Sequence, residues 1–279
     1  MIDLPVFGLI LFAASLHASW NAFLKGSGDT LLSTTLVMGG AALIAVVALP
    51  FLPAPARSSW PWLAVSALLQ VGYLVLLVRI YRVVDMSLAY PLMRGSAPLV
   101  VALISHLWLG ETMPRFAWIG IGTICLGILT MATAARGTLS LAGLAAALTN
   151  AALIAAYTLI DGVGARLSGT PAAYTLWLSL LTGVAMAGWA LQARGAALLK
   201  YAQRNWHVGL IGGLGTIVSY SIALWAMTMA PIAMVAALRE TSILFATAIA
   251  ALVLHERVGR ARVVAACIIA GGAMLMRLA

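Results

Sequence analysis

Apolar runs long enough to cross a bilayer follow one another along the whole chain, each closed by proline, glycine or charge. A membrane-spanning helix needs about 20 predominantly apolar residues. The pattern predicts ten spans, over residues 4–24, 31–52, 60–82, 86–109, 115–134, 138–160, 171–193, 205–228, 231–254 and 260–278. The breaks carry turn chemistry: Lys25-Gly26-Ser27-Gly28-Asp29, Pro53-Ala54-Pro55, Arg136-Gly137, Ser168-Gly169-Thr170-Pro171 and Ala230-Pro231. Gln192 to His207 reads as the longest polar connection.

The pattern repeats. A shift of 145 residues lays Arg94 on Arg239, Glu111 on Glu256 and Arg115 on Arg260, along with Leu99 on Leu244, Ile124 on Ile269, Gly127 on Gly272 and Met131 on Met276, without a gap. Leucine matches in apolar segments are cheap, but three charged coincidences at one shift are not, because charge inside spans is rare. The expected architecture is an all-α integral membrane protein of ten transmembrane helices in a five-plus-five inverted repeat. Residues 1–135 form the first half and 136–279 the second. An odd number of spans per half makes the second enter the membrane upside down, an arrangement that recurs in secondary transporters.

Composition strengthens this reading. Of the 279 residues 63% are hydrophobic and 8% charged, with mean hydropathy +1.07, against about 25% charged in an ordinary soluble domain. No soluble catalytic domain fits beside ten spans. The net charge of +9 would suggest nucleic acid in a soluble protein, but here the basic residues stand singly at helix ends and no nucleic-acid partner is expected. Cys125 and Cys267 fall inside spans with no CxxC or Cys/His cluster, so no metal and no cofactor are expected. The N-terminus lacks a basic leader region and its apolar run continues through Trp20 and Phe23, which predicts a retained first helix.

On the side bearing both termini the basic residues are Arg57, Arg115, Arg166 and Arg277. The other side has Lys25, Arg79, Arg82, Arg136, Arg194, Lys200, Arg204, Arg257, Arg260 and Arg262. By the positive-inside rule both termini face away from the cytoplasm.

Arg94 lies about 12 Å along the fourth span at 1.5 Å per residue, and Arg239 sits at the matching depth of the ninth. A charge this deep costs at least about 2.5 kcal/mol unless it faces protein or water. Such a pair either pairs internally for stability or lines a cavity able to take a carboxylate or phosphate. Glu240 reads as the only acidic residue near mid-membrane, turned about 100° from Arg239 around the helix. Its uses are a salt bridge to Arg94 across the repeat interface, a substrate amino group, or a transported proton.

His17 and Asn21 make a polar stripe one turn apart on the first helix, and Asn150 and Tyr157 share a face of the sixth. Tyr73, Tyr90 and Tyr220 are the remaining mid-span tyrosines, and Ser219 and Trp225 accompany Tyr220 in the eighth helix. The predicted substrate-binding set is therefore Arg94, Arg239, Glu240, His17, Asn21, Tyr73, Tyr90, Asn150, Tyr157, Tyr220 and Trp225. Packing is the competing role for His17 and for the aromatics. Glu111 and Glu256 precede Arg115 and Arg260 by four residues, which suggests loop ion pairs or helix caps. Gly209 and Gly213 have the GxxxG spacing of close helix packing, within one chain or between copies, so both a monomer and a homodimer fit.

The paired segments Leu107-Trp108-Leu109-Gly110-Glu111 and Leu252-Val253-Leu254-His255-Glu256 each end the fourth helix of a half. Residues 119–127 and 263–272 continue with glycine-rich helices, and Pro98 lies inside the fourth helix. On these residues the chain resembles the drug/metabolite transporter superfamily, EamA type, over its whole length. It departs from the family pattern at Ser242-Ile243, where proline is usual, and at His255, where glycine is usual. The Arg94 and Arg239 pair is not a general family feature. The resemblance implies an exporter of small metabolites in the cell's inner membrane, amino acids foremost and the aromatic ones among them. It also implies both termini in the cytoplasm, against the charge count.

The expected function is thus a secondary transporter that works by alternating access around a midplane cavity, with a small-molecule substrate and the lipid bilayer as partners. Drugs, nucleosides and sugars are alternative solutes. An enzyme acting on lipid-linked substrates would need paired acids or a metal cluster at one interface, and none is written in the sequence. No nucleotide-binding GxxxxGK[ST] motif occurs.

Overall fold

The computed structural model describes residues 2–24, 29–134, 140–253, 255 and 258–279, with the side chains of 20–24, 30, 82 and 134 left out. The first half runs α1 (Leu4–Leu24), α2 (Thr30–Ala48), α3 (Trp60–Val83), α4 (Met86–Trp108) and α5 (Arg115–Thr130). The second runs α6 (Leu141–Ser168), α7 (Pro171–Arg194), α8 (Ala196–Met229), α9 (Ile232–Arg239), α10 (Ser242–Leu252) and α11 (Arg260–Arg277). Eight helical stretches among the described residues are long and apolar enough to cross a membrane, α9 with α10 counting as one. With α1, whose described apolar stretch Leu4–Ser19 is shorter, and α11, which carries three arginines, they make ten helical stretches, five in each half. Side chains such as Leu43, Val47 and Leu68 are exposed, as expected where lipid rather than water is the solvent.

Three expectations need correction. The ninth span is not one helix but two, α9 and α10, interrupted at Glu240 and Thr241. The sixth helix does not end at residue 160; it continues through Asp161 and Arg166 to Ser168, where Gly169 closes it at φ 66°. Most of the supposed connection 192–207 is helical as well, since α8 begins at Ala196 and only bends at Asn205, whose φ is −122°. Polar residues ended both predicted spans; α6 continues past Asp161 and Arg166 because other helices supply their partners, whereas α8 extends with Lys200, Gln203 and Arg204 exposed.

The packing respects the repeat. α2 packs on α7 and α5 on α11, each across the halves. The contact of α2 with α8 recurs as α3 with α7, that of α3 with α6 as α1 with α8, and that of α4 with α6 as α1 with α9 and α10. Exchanging the halves therefore maps these principal contacts onto one another, while α7 with α8 and α6 with α8 have, among the described residues, no counterpart in α2 with α3 or α1 with α3.

Glycine lets backbones meet at two of these seams. A Cβ on Gly120 of α5 would lie 2.8 Å from the Gly272 carbonyl oxygen of α11, and one on Gly213 of α8 would lie 2.4 Å from the Ala41 nitrogen of α2. Gly209, one turn earlier, meets Leu36 of α2 in the same way. The GxxxG pair of α8 is thus engaged within the chain. Polar caps hold the helix starts: Asp29 accepts from the Leu31 and Leu32 amides, and Asp85 from the Ser87 amide and hydroxyl at 2.8 and 2.7 Å. The bonds from Ser87 hold the Asp85 carboxyl below the usual carboxylate range.

Candidate functional site: a narrow cavity at a broken helix

The interruption of the ninth span needs no proline. The Glu240 and Thr241 amides donate to the carbonyls of Ala237 and Leu238, three residues back, each at 3.0 Å, and the Thr241 hydroxyl donates to the same Leu238 carbonyl at 2.6 Å. A threonine hydroxyl that takes a local carbonyl offers the backbone an alternative to the α-helical ladder. The result is a tight three-residue turn between α9 and α10 that sets Arg239 and Glu240 against α4, α6 and α8.

Glu240 grips Arg94 of α4 with both oxygens: Arg94 Nε donates to Oε2 at 2.9 Å and Nη2 reaches Oε1 at 2.9 Å. The side chains are 15% and 6% exposed. This two-point geometry is the strongest form of carboxylate pairing, and it ties the first half to the second. Of the three uses expected for Glu240, the salt bridge is the one that forms.

Arg239 is held differently. Its guanidinium carbon lies 4.8 Å from the centre of the Tyr220 ring, a cation–π contact. Among the described residues it has no carboxylate within ion-pair distance. Arg94, Arg239 and Glu240 share a cavity with Ala97, Pro98 and Val101 of α4 and Ile154, Tyr157 and Thr158 of α6. Tyr73 packs on Tyr157 with ring centres 5.6 Å apart. His17, Tyr73 and Tyr90 all lie within electrostatic reach of Arg94. The cavity measures about 20 Å³, and one water needs roughly 10–15 Å³ by the same measure. In this conformation the site admits little more than a water molecule.

Two predicted residues lie elsewhere. Asn150 is fully buried between α6 and α4 and donates to the Met93 sulfur at 3.0 Å. Trp225 faces a wide apolar hollow with Leu9, Leu52 and Pro171, away from the arginines. Ser219 donates to the Ala13 carbonyl at 2.8 Å and pins α8 to α1. The Asn21 side chain and residues Glu256 and Arg257 lie outside the described residues.

Glu240 is not the only buried acid, contrary to expectation. Asp161, fully buried on α6, accepts from the Tyr174 hydroxyl at 3.1 Å, the Gln70 amide at 2.9 Å and the Tyr220 hydroxyl at 2.5 Å. Nothing in the local sequence Ile160-Asp161-Gly162-Val163 marks it as anything but the end of a span. The available signal was the helix-compatible, uncharged stretch that continues to Ala165.

At the face bearing the termini, the expected ion pair and helix cap of Glu111 form, but with another partner. Glu111, in the turn after α4, pairs not with Arg115 but with Arg166 at the end of α6. It also accepts from the Ser105 hydroxyl and from the Ile232 amide at 2.9 Å, capping the start of α9. Arg166 in turn donates to the Met227 and Ala230 carbonyls at 2.7 and 3.0 Å, closing the end of α8. One ion pair thereby fastens four helices from both halves.

The model of the EamA-like transporter family matches the chain twice, over residues 5–133 and 141–278. A solved crystal structure, described only as that of a protein, is similar over 99% of this chain and 98% of its own, with TM-score 0.73 and 18% identity. At that identity the likeness is one of fold alone. No curated protein matches the sequence.

Proposed function

We propose, from the premise that the chain belongs to the EamA-like transporter family and is a membrane transporter of small molecules rather than an enzyme, that its solute carries a carboxylate which Arg239 receives. The observation that carries this reading is the unequal treatment of two half-buried arginines. Arg94 already has its carboxylate, whereas Arg239 leans on a tyrosine ring in the wall of a cavity between the halves. A cation–π contact offsets only about 0.5–2 kcal/mol, so an incoming carboxylate that makes two charge-assisted hydrogen bonds outcompetes it.

The other walls are apolar or aromatic, which favours a solute with an apolar or aromatic body. An amino acid of that kind meets both demands, and the chain is then its carrier in the cell membrane. A cavity with room for about one water cannot hold such a solute. Binding therefore accompanies an opening of one half against the other, and the recurrence of the principal seams in the two halves supports a second, oppositely open state of the kind alternating access requires. The domain boundary near residue 135 is the natural division between the moving units.

Counterflow of radiolabelled solutes into proteoliposomes tests the reading, with a panel of phenylalanine, leucine, uridine, glucose and a cationic dye. Exchange of phenylalanine or leucine that R239A reduces at least about tenfold is the expected result. Transport restricted to uridine, glucose or the dye would overturn the carboxylate assignment.

A further inference from the structure

Asp161 has no role in the solute site described above, yet it is the most completely enclosed acid among the described residues. Four elements surround it: Gln70 comes from α3, Tyr174 from α7, Tyr220 from α8, and Tyr157 stands one turn earlier on α6 itself. All are neutral. Among the described residues no cation is within ion-pair distance of its carboxylate. Burial of an acid with neutral donors only leaves its charge compensated by dipoles, not by a counter-ion, and that is the arrangement in which a proton is easily gained or lost.

The nearest route to a cation runs through Tyr220. Its hydroxyl donates to Asp161 while its ring lies 4.8 Å under Arg239. The solute-binding guanidinium and the buried acid therefore sit on two sides of one phenol. A negatively charged Asp161 draws on the Tyr220 proton and enriches the ring that Arg239 rests on, holding the guanidinium in place. A neutral Asp161 weakens that hold and frees Arg239 for a solute carboxylate. In the other direction, a carboxylate that neutralises Arg239 cancels the positive charge resting on the Tyr220 ring and favours protonation of Asp161. Binding linkage is reciprocal, so solute and proton each raise the other's affinity.

We infer that Asp161 is the proton-binding site of this carrier, coupled to solute binding at Arg239 through Tyr220; the inference rests on the proposed carboxylate reading of Arg239. The acid lies seven residues from the Ser168 end of α6, about 10 Å from the face bearing the termini at 1.5 Å per residue. The proton arrives from solvent on that face, and solute and proton move in the same direction.

The test uses the reconstituted full chain with a pH-sensitive dye sealed in the vesicles and radiolabelled phenylalanine outside, so that solute and proton entry are read together. The wild type is expected to carry about one proton per phenylalanine, and D161N to lower that ratio at least about fivefold in whatever flux remains. Y220F keeps the ring under Arg239 and lacks the hydroxyl, so it is also expected to lower the ratio, and it carries the test if D161N does not fold. An unchanged ratio in either variant overturns the proposal, as does a loss in E240Q that D161N does not share. Phenylalanine flux without protons in the wild type overturns Asp161 alone and leaves the carboxylate reading standing. Proton-linked flux of uridine only, abolished by D161N, upholds Asp161 and overturns the carboxylate reading. Flux of neither solute overturns both.

Discussion

Glu240 occupies Arg94 with both of its oxygens while the adjacent Arg239 leans on Tyr220, so two charges that are neighbours in the chain do opposite work. Removing one member of the buried pair strands the other. E240Q is expected to lower stability by about 3–5 kcal/mol, and adding R94M to it to recover most of that loss; thermal unfolding in detergent measures both. R239A strands no partner charge, so its unfolding temperature stays near the wild type while its solute exchange falls. R239K keeps the charge but not the planar face, and exchange is expected to be intermediate between R239A and the wild type. At this scale the sequence displayed Arg94, Arg239 and Glu240 because charge inside an apolar run is conspicuous. It concealed Asp161, which stands beside glycines at the edge of a run and is told from a loop acid only by Gln70, Tyr174 and Tyr220, residues about 13 to 90 positions away that the fold brings to it.

Helix starts were legible to within a residue or two wherever proline or a capping acid stood at the boundary, as at Pro171 and Asp85. The break in the ninth span was not, because it depends on the Thr241 hydroxyl and on partners for Arg239 and Glu240 that other helices supply. A local pattern sees only a continuous apolar segment. The glycine seams are the opposite case: the small residues were visible, and the structure tells which neighbour each one admits. In G120A the new methyl group meets the Met276 side chain and the Gly272 carbonyl, so α5 and α11 must move apart. A destabilisation of about 1–3 kcal/mol is expected. G122A, on the same helix with open space around it, is expected to show none, and thermal unfolding of the two in parallel separates packing from any general intolerance of α5 to alanine.

The principal seams of the molecule recur between the halves, but the fastenings do not. The shift of 145 residues that pairs Glu111 with Glu256 pairs Arg166 with Asn21, so the ion pair that binds four helices at the termini face has no equivalent pair of charges in the other register. Among the described residues, the ion pair that joins the halves at the opposite face is Asp29 with Arg194, at 3.1 Å and with side chains 34% and 41% exposed, and such solvated pairs contribute little. Closure at the termini face is therefore, among the described residues, the better secured of the two, and weakening it tips the carrier toward opening there. A cysteine at Ala97, on the cavity wall, reports this once the exposed Cys267 is replaced by serine. With buried Cys125 retained, an impermeant maleimide applied from the termini face is expected to label R166Q about threefold to fivefold faster than its parent. Labelling from the other face should slow, because the two openings draw on one population of closed molecules. Equal acceleration from both faces would mean that Arg166 supports the fold as a whole and not the closure of one side.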